Sequence, residues 1–401
     1  MRALLTGSTV AILVIAWATT GWALAFGHDL VAHPPNAAVG VLMFLVILAA
    51  IMVAAFGVVH QAEHLAEKVG EPFGTLILTL TVVVIEVALI ASVMLGPSGS
   101  ATIGRDSLFA VMMIIINGVM GLAILLGGLR HGPQNYNTVG TSVYLAVIVA
   151  LSLCTLVLPN FTGSTPGGTL TSFQSIGIAV LAAALYAFFL VMQVGRDRSL
   201  FVQPVVPAAA VSASASASAS ASAPASAPAS APAPASAPSS PAAPEHPAVA
   251  RGELVARAAL LIVTVLPIVL LSHDLGVLVD LGIDATGAPV ALSGVVIAII
   301  VFTPEAVTAI RASLADQNQR AFNLGLGAFT STVGLTIPVI LVIGLVSGQE
   351  VVLGESPANM VLIAITLAMT LITFFSPRTT AVHGAVHLML FGVYAILLFA
   401  P

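Results

Sequence analysis

Glu86 and Glu305 stand out because the sequence around them offers almost nothing to hold a charge. Glu86 lies in Thr79-Leu80-Thr81-Val82-Val83-Val84-Ile85-Glu86-Val87, and Glu305 in Phe302-Thr303-Pro304-Glu305-Ala306. A carboxylate at the centre of an apolar helix costs about 2.5 to 3.5 kcal/mol on insertion scales. The apolar runs contain no lysine or arginine to offset that cost. The partner that fits is a cation taken from solution, with protons replacing it when the site is empty. Burial and mutual repulsion both disfavour the doubly charged pair. One divalent ion or two protons would neutralise it, and that competition would couple metal to proton. The plainer alternative is a pair of protonated carboxyls hydrogen-bonded inside a bundle.

A Ca2+ ion takes six to eight oxygens, and two carboxylates supply at most four. Candidates for the rest are Thr81, Asn117, Thr303, Thr330 and Ser331, together with carbonyls freed by Pro304, which removes one helical hydrogen bond. An ordinary kink is the other reading of Pro304. Thr75 and Thr79 precede Glu86 by eleven and seven residues, and Thr308 and Asp316 follow Glu305 by three and eleven, close to the same helical faces. With Glu71 they predict a polar vestibule on the cytoplasmic side. Threonines that bond to their own preceding turn explain Thr75 and Thr79 equally well. Asn117, Gly121 and Gly128 share one face, as do Asn323, Gly327, Ser331 and Gly334. Small residues let membrane helices approach backbone to backbone, and packing alone explains the glycines.

The elements that must position these residues are transmembrane helices. Of 401 residues, 59% are hydrophobic and 7% charged, whereas charged residues approach about a quarter of a soluble domain. Roughly 20 helical residues cross the hydrocarbon layer, and helices satisfy their own backbone there. Apolar runs predict spans near 9–27, 39–59, 73–95, 107–129, 141–159, 173–194, 258–281, 289–310, 321–345, 360–375 and 380–400. The first reads as a retained helix, although its end at Ala23-Leu24-Ala25 also fits a secretory signal.

The expected fold is an all-α membrane protein of about eleven helices. It divides into an N-terminal helix and loop (1–38), a five-helix repeat (39–203), an Ala/Ser/Pro tether (204–250) and a second five-helix repeat (251–401). The tether lacks the apolar bulk to offset its ordering entropy and is expected to be disordered. An odd number of spans inverts the second repeat relative to the first, a layout that places substrate near the midplane between the halves. With the N-terminus inside, Arg2, Lys68, Arg130, Arg196, Arg198, Arg251, Arg257, Arg311, Arg320 and Arg378 fall on the cytoplasmic side and only Arg105 outside. The tether is then cytoplasmic and Pro401 periplasmic or extracellular, in a multi-pass protein of the cytoplasmic membrane.

At these residues the sequence resembles the calcium/cation antiporter superfamily, most closely its bacterial sodium/calcium:proton antiporters. The likeness rests on Gly70-Glu71-Pro72-Phe73-Gly74-Thr75 leading to Glu86, and on Thr303-Pro304-Glu305 continuing through Arg311, Arg320, Asn323 and Gly327 to Gly334-Leu335-Thr336-Ile337-Pro338. These segments, within 70–129 and 289–345, look like the family's two alpha repeats. The resemblance implies alternating access with Glu86 and Glu305 as shared ion and proton ligands. Two departures accompany it. Val82-Val83-Val84-Ile85 stands where many relatives carry Asn or Pro, and the tether replaces an acidic regulatory stretch.

Other signals are weaker. His60, Glu63, His64 and Glu67 lie at helical spacing before Gly70 and read as an amphipathic surface turn on a cytoplasmic loop, with a pH or cation sensor as the alternative. His383 and His387 share a face of the last span, where packing or interhelical bonding is favoured over a metal site. His273 and Asp274 are assigned no role. The single cysteine, Cys154, excludes a disulfide framework. No basic patch suggests nucleic acid, and no nucleophile-base set suggests an enzyme. The expected partners are the lipid bilayer, small inorganic cations and protons, with no cofactor; oligomeric state is left open. The leading expectation is a secondary antiporter exchanging Ca2+, with Na+ or K+ as further ions, for H+. A monovalent Na+(K+)/H+ exchanger and, behind it, a cation channel are the alternatives.

Overall fold

The structure is a computed structural model that describes residues 6–69, 73–95, 100–201 and 251–400, leaving aside the side chains at 28, 66, 67, 69, 73–76, 78, 251 and 254. Arg2, the Gly70-Glu71-Pro72 motif, the side chains of Glu67 and Thr75, the tether at 204–250 and Pro401 therefore lie outside the described residues.

The chain is an all-α membrane protein. Its helices are α1 (Gly7–Trp22, continued through a wide turn at Ala23–Gly27 into His28–Ala32), α2 (Ala37–Val69), α3 (Phe73–Met94), α4 (Ile103–His131), α5 (Thr138–Phe161), α6 (Ser172–Val194), α7 (Arg251–Thr286), α8 (Leu292–Leu314), α9 (Asn318–Ser347), α10 (Pro357–Phe375) and α11 (Ala381–Phe399). Among the described residues ten are long and apolar enough to cross a membrane. In the eleventh, α3, the apolar stretch Thr79–Met94 is shorter. Polar side chains punctuate the ends. Asn137 accepts from the Val139 and Gly140 amides at the start of α5, Thr171 and Gln174 cap α6 reciprocally, and Ser356 caps α10 just before Pro357.

Two elements outrun their apolar runs. α2 continues to Val69, which places His60, Glu63 and His64 on its last turns instead of on a loop. The His60 and His64 rings meet edge to face at 4.5 Å. α7 begins at Arg251, and its Glu253 takes hydrogen bonds from Lys68 of α2 and from Arg257, which hold the Glu253 carboxyl below its ordinary range.

The two five-helix sets pack reciprocally. First helix lies on first (α2 on α7), each second helix on the third of the other half (α3 on α9, α8 on α4), and each fifth helix on the third of the other half (α11 on α4, α6 on α9). The connections repeat the pattern. Gln134–Asn135 (β1) pairs antiparallel with Arg378–Thr379 (β2) at one end, and Thr169 bridges Val352 at the other. Both third helices, α4 and α9, contain a π segment, Met113–Val119 and Thr332–Thr336.

The small-residue stripes are packing faces. A Cβ on Gly121 would sit 3.0 Å from His387 Cβ of α11, and one on Gly384 would fall 2.3 Å from the Leu125 amide nitrogen. A Cβ on Gly334 would strike the Tyr186 ring of α6 at 2.5 Å. Gly384→Val is therefore expected to cost about 1 to 3 kcal/mol or more through overpacking, read as a lowered unfolding midpoint in detergent. Gly392→Ala on the same helix meets open space and is expected to be neutral or to stabilise by up to about 1 kcal/mol.

Candidate functional site

Glu86 lies midway along α3 and Glu305 midway along α8, and these helices pack on each other as well as on α9 and α4. Glu86 is 0% exposed and Glu305 7%. Neither forms an ion pair among the described residues. Thr332 Oγ1 of α9 donates to Glu86 Oε2 at 2.7 Å. Thr336, four residues on, acts on the same carboxyl without closing a hydrogen bond. Glu86 Oε1 and both Glu305 oxygens have no hydrogen-bond partner among the described residues. Glu305 faces a cavity of about 10 Å3 walled by Ile115 and Val119 of α4, Phe302 and Ala309 of α8, and Leu324 and Ala328 of α9. That is space for about one water. Glu63 of α2 acts on Glu305 through space, carboxyl on carboxyl. A carboxylate in either place requires a proton or an incoming cation.

The residues proposed to complete the ion shell are placed differently. The hydroxyls of Thr81, Thr303 and Thr330 donate to the carbonyls of Ile77, Ile299 and Leu326, one turn back on their own helices. Ser331 donates to the Ala328 carbonyl at 2.6 Å and lies on the Tyr186 side of α9. Asn117 is engaged elsewhere: its Nδ2 donates to Thr366 Oγ1 of α10, and its Oδ1 meets His387 Nδ1 of α11, each at 2.9 Å. The other His387 nitrogen meets Thr373 Oγ1 at 3.1 Å, while His383 caps its own helix through the Thr380 amide. The two histidines therefore hold separate partners and do not form a metal site together.

Of the vestibule residues, Asp316 leaves the expected helix face. α8 runs unbroken through Pro304 but stops at Leu314, so the eleven-residue spacing from Glu305 to Asp316 extends past the helix. Asp316 sits in the following turn with φ 59 and accepts from Gln134 Nε2 at 3.0 Å. Thr308 donates to the Pro304 carbonyl at 3.0 Å, and Thr79 is half-buried on α3.

Thr332 and Thr336 are the neighbours of Glu86 that helical periodicity missed. They begin and end the π segment of α9. Phase carried forward from Asn323 and Gly327 selects Ser331, which lies on the Tyr186 side, whereas Thr332, the next residue round the helix, meets the acid. The wide turn that begins there keeps Thr336 beside the same carboxyl. A π segment leaves no signature in a 3.6-residue pattern, but the run Thr330-Ser331-Thr332 marks where to look.

Comparison with known proteins places this geometry. Residues 39–195 and 256–400 match the family described as sodium/calcium exchanger protein. The chain is 34% identical over 349 residues to the y4hA protein of Sinorhizobium fredii, covering 87% of this chain and 86% of that one. It is 30% identical over 356 residues to the sodium-potassium/proton antiporter ChaA of Escherichia coli, covering 89% and 88%. In fold it is similar to YfkE, with a TM-score of 0.67 at 15% identity over 97% of this chain and 100% of that one. It is also similar to the H+/Ca2+ exchanger CAX, with a TM-score of 0.64 at 14% identity over 98% and 89%.

Removing the Thr332 hydroxyl tests the local geometry. Thr332→Val leaves Glu86 Oε2 without its donor and is expected to cost about 1 to 3 kcal/mol of unfolding free energy. In the Glu86→Leu background the same change is expected to cost little, and a double-mutant cycle on the detergent-solubilised protein measures the difference.

Proposed function

Since the chain belongs to the sodium/calcium exchanger protein family, we propose that it is a secondary antiporter exchanging Ca2+, and with it Na+ or K+, for H+, with Glu86 and Glu305 as the groups that cation and protons occupy in turn. The observation that carries this reading is a pair of buried carboxyls on the second helices of two reciprocally packed halves, neither with an ion-pair partner among the described residues. In hydrocarbon such a pair is neutralised by one divalent ion or by two protons. That exclusivity makes the flow of one drive the other. Alternating access then moves the α3–α8 pair between two facing directions while α4 and α9 wall it on either side.

The membrane is the cytoplasmic one in this reading, with the N-terminus and the 204–250 segment inside. The inter-loop bonds support a consistent sidedness. The connections at 131–138, 314–320 and 375–381 meet one another through His131 to Leu314, Asn137 to Gln319 and β1 to β2. They gather Arg130, Arg311, Arg320 and Arg378 at one end, while Arg105 joins Gly354 at the other.

A monovalent Na+(K+)/H+ exchanger is the second reading, favoured by the likeness to the sodium-potassium/proton antiporter of Escherichia coli and by the few oxygens gathered at Glu86. Everted vesicles with an acid interior separate the two. Addition of CaCl2 is expected to collapse the gradient, and Glu86→Gln or Glu305→Gln is expected to reduce the response to background while the protein still inserts. Collapse by NaCl or KCl but never by CaCl2 would establish the monovalent reading. Ion flux without proton movement would replace both with a channel. Because protons and cation compete for the same oxygens, apparent Ca2+ affinity is expected to weaken as pH falls, by up to about 100-fold per pH unit if two protons are displaced.

A further inference from the structure

At the end of the bundle where α9 leads into α10, residues 349–356 run as an extended seam. The Val352 amide donates to the Ala101 carbonyl at 2.9 Å, Leu353 and Gly354 to Gly168 at 3.1 and 2.9 Å, and Glu355 to Leu156 at 2.9 Å. Asn160 Nδ2 closes on the Glu355 carbonyl at 2.9 Å. The seam thus ties α10 to the start of α4 and to the connection between α5 and α6.

Inside it the Glu355 side chain is 2% exposed. Its Oε2 accepts from Asn359 Nδ2 at 2.8 Å, while its Oε1 has no hydrogen-bond partner among the described residues. The charged and titratable groups that act on it are Asp106 and Arg105 of α4 and Tyr394 of α11. Arg105 is already committed, through Nε to Asp106 Oδ1 at 3.2 Å and through its guanidinium to the Gly354 carbonyl. Asp106 also accepts from Thr102 Oγ1 at 2.8 Å. Two acids therefore share one base. With both ionised, one buried negative charge stands uncompensated, which is costly in a low dielectric. A metal ion suits the place poorly, since a guanidinium already occupies it and no cluster of three metal-binding side chains occurs among the described residues.

We propose that Glu355 is a proton-binding site separate from the Glu86–Glu305 pair, and that its proton holds the 349–356 seam closed at this end of the bundle. Burial pushes the Glu355 carboxyl up to about 7, opposed by the Asn359 hydrogen bond, reinforced by Asp106 and opposed again by Arg105. Where the seam opens, the carboxyl returns toward its ordinary value near 4.5. The closed form therefore holds its proton over a pH range in which the open form has released it. Opening costs most below about 4.5, becomes easier as pH rises, and levels off above about 7.

Hydrogen exchange on the full chain in detergent, corrected for intrinsic exchange, tests this without any transport measurement. In peptides covering 349–356, opening is expected to rise by up to about tenfold per pH unit between pH 5 and 7 and then to level off. Glu355→Gln is expected to make opening independent of pH. Asp106→Asn is expected to move the plateau to lower pH, and Asn359→Ala to higher pH; these two decide the matter should Glu355→Gln fail to fold. A pH-independent seam in the unmodified protein, an unchanged profile in Glu355→Gln, or a plateau unmoved by both other variants would overturn the proposal. So would resealing at pH 8 by CaCl2 or NaCl in place of acid, which would make the site one for a cation.

Discussion

A carboxyl group in hydrocarbon is tolerable only while something neutralises it, and the arrangement of this protein follows from having two. At about 2.5 to 3.5 kcal/mol each on insertion scales, the pair represents a large fraction of a typical stability of about 5 to 15 kcal/mol. Buried Glu86 and Glu305 are not compensated by lysine or arginine among the described residues. Such a cost is sustainable where occupancy by a mobile charge is part of the working cycle. The surrounding helices are accordingly close-packed and apolar, which keeps the local dielectric low and makes an unneutralised carboxylate there costly.

The acids are related by the fold but not equivalent. Each sits on a second helix against the third helix of the other half. Yet α9 offers Glu86 a hydroxyl from Thr332, whereas α4 presents Ile115 and Val119 to the cavity beside Glu305. Glu86 has a polar neighbour in place, while Glu305 meets an apolar wall and, through space, the Glu63 carboxyl. The opposite faces of the same third helices are occupied by glycines and by the Asn117–His387–Thr366 network, which fasten them to their neighbours. The contacts to the acids and the contacts to neighbouring helices thus lie on different sides of each third helix.

How much of this was legible in the sequence depended on whether the signal was bulk or phase. Spans, their number and the two halves follow from apolar length and charge placement, and the helices found at α3, α8 and α11 match the runs closely. The acids were legible because charge in apolar sequence is rare. Their neighbours were less so. Asn117 and Ser331 share a stripe with glycines, and that stripe proved to be a packing face; Thr332 lies one residue round the helix from it, at the start of a π turn that no regular period encodes. Asp316 was carried too far because the helix stops at Leu314. Glu355 lies in a short connection, where hydropathy windows see only an outside loop, although its backbone is bonded on several sides and its side chain is buried.

The π segments in α4 and α9 each place a surplus residue within the third helix of a half. A helix with an inserted residue works like a vernier scale: taking up the surplus would turn everything beyond it by about 100° while barely changing the length. Winding Thr332–Thr336 into regular α-helix with every residue kept would therefore leave α9 spanning nearly the same thickness but turn the residues beyond it toward different neighbours. The chemistry around the acid is set by the count of residues in a turn as much as by their identity.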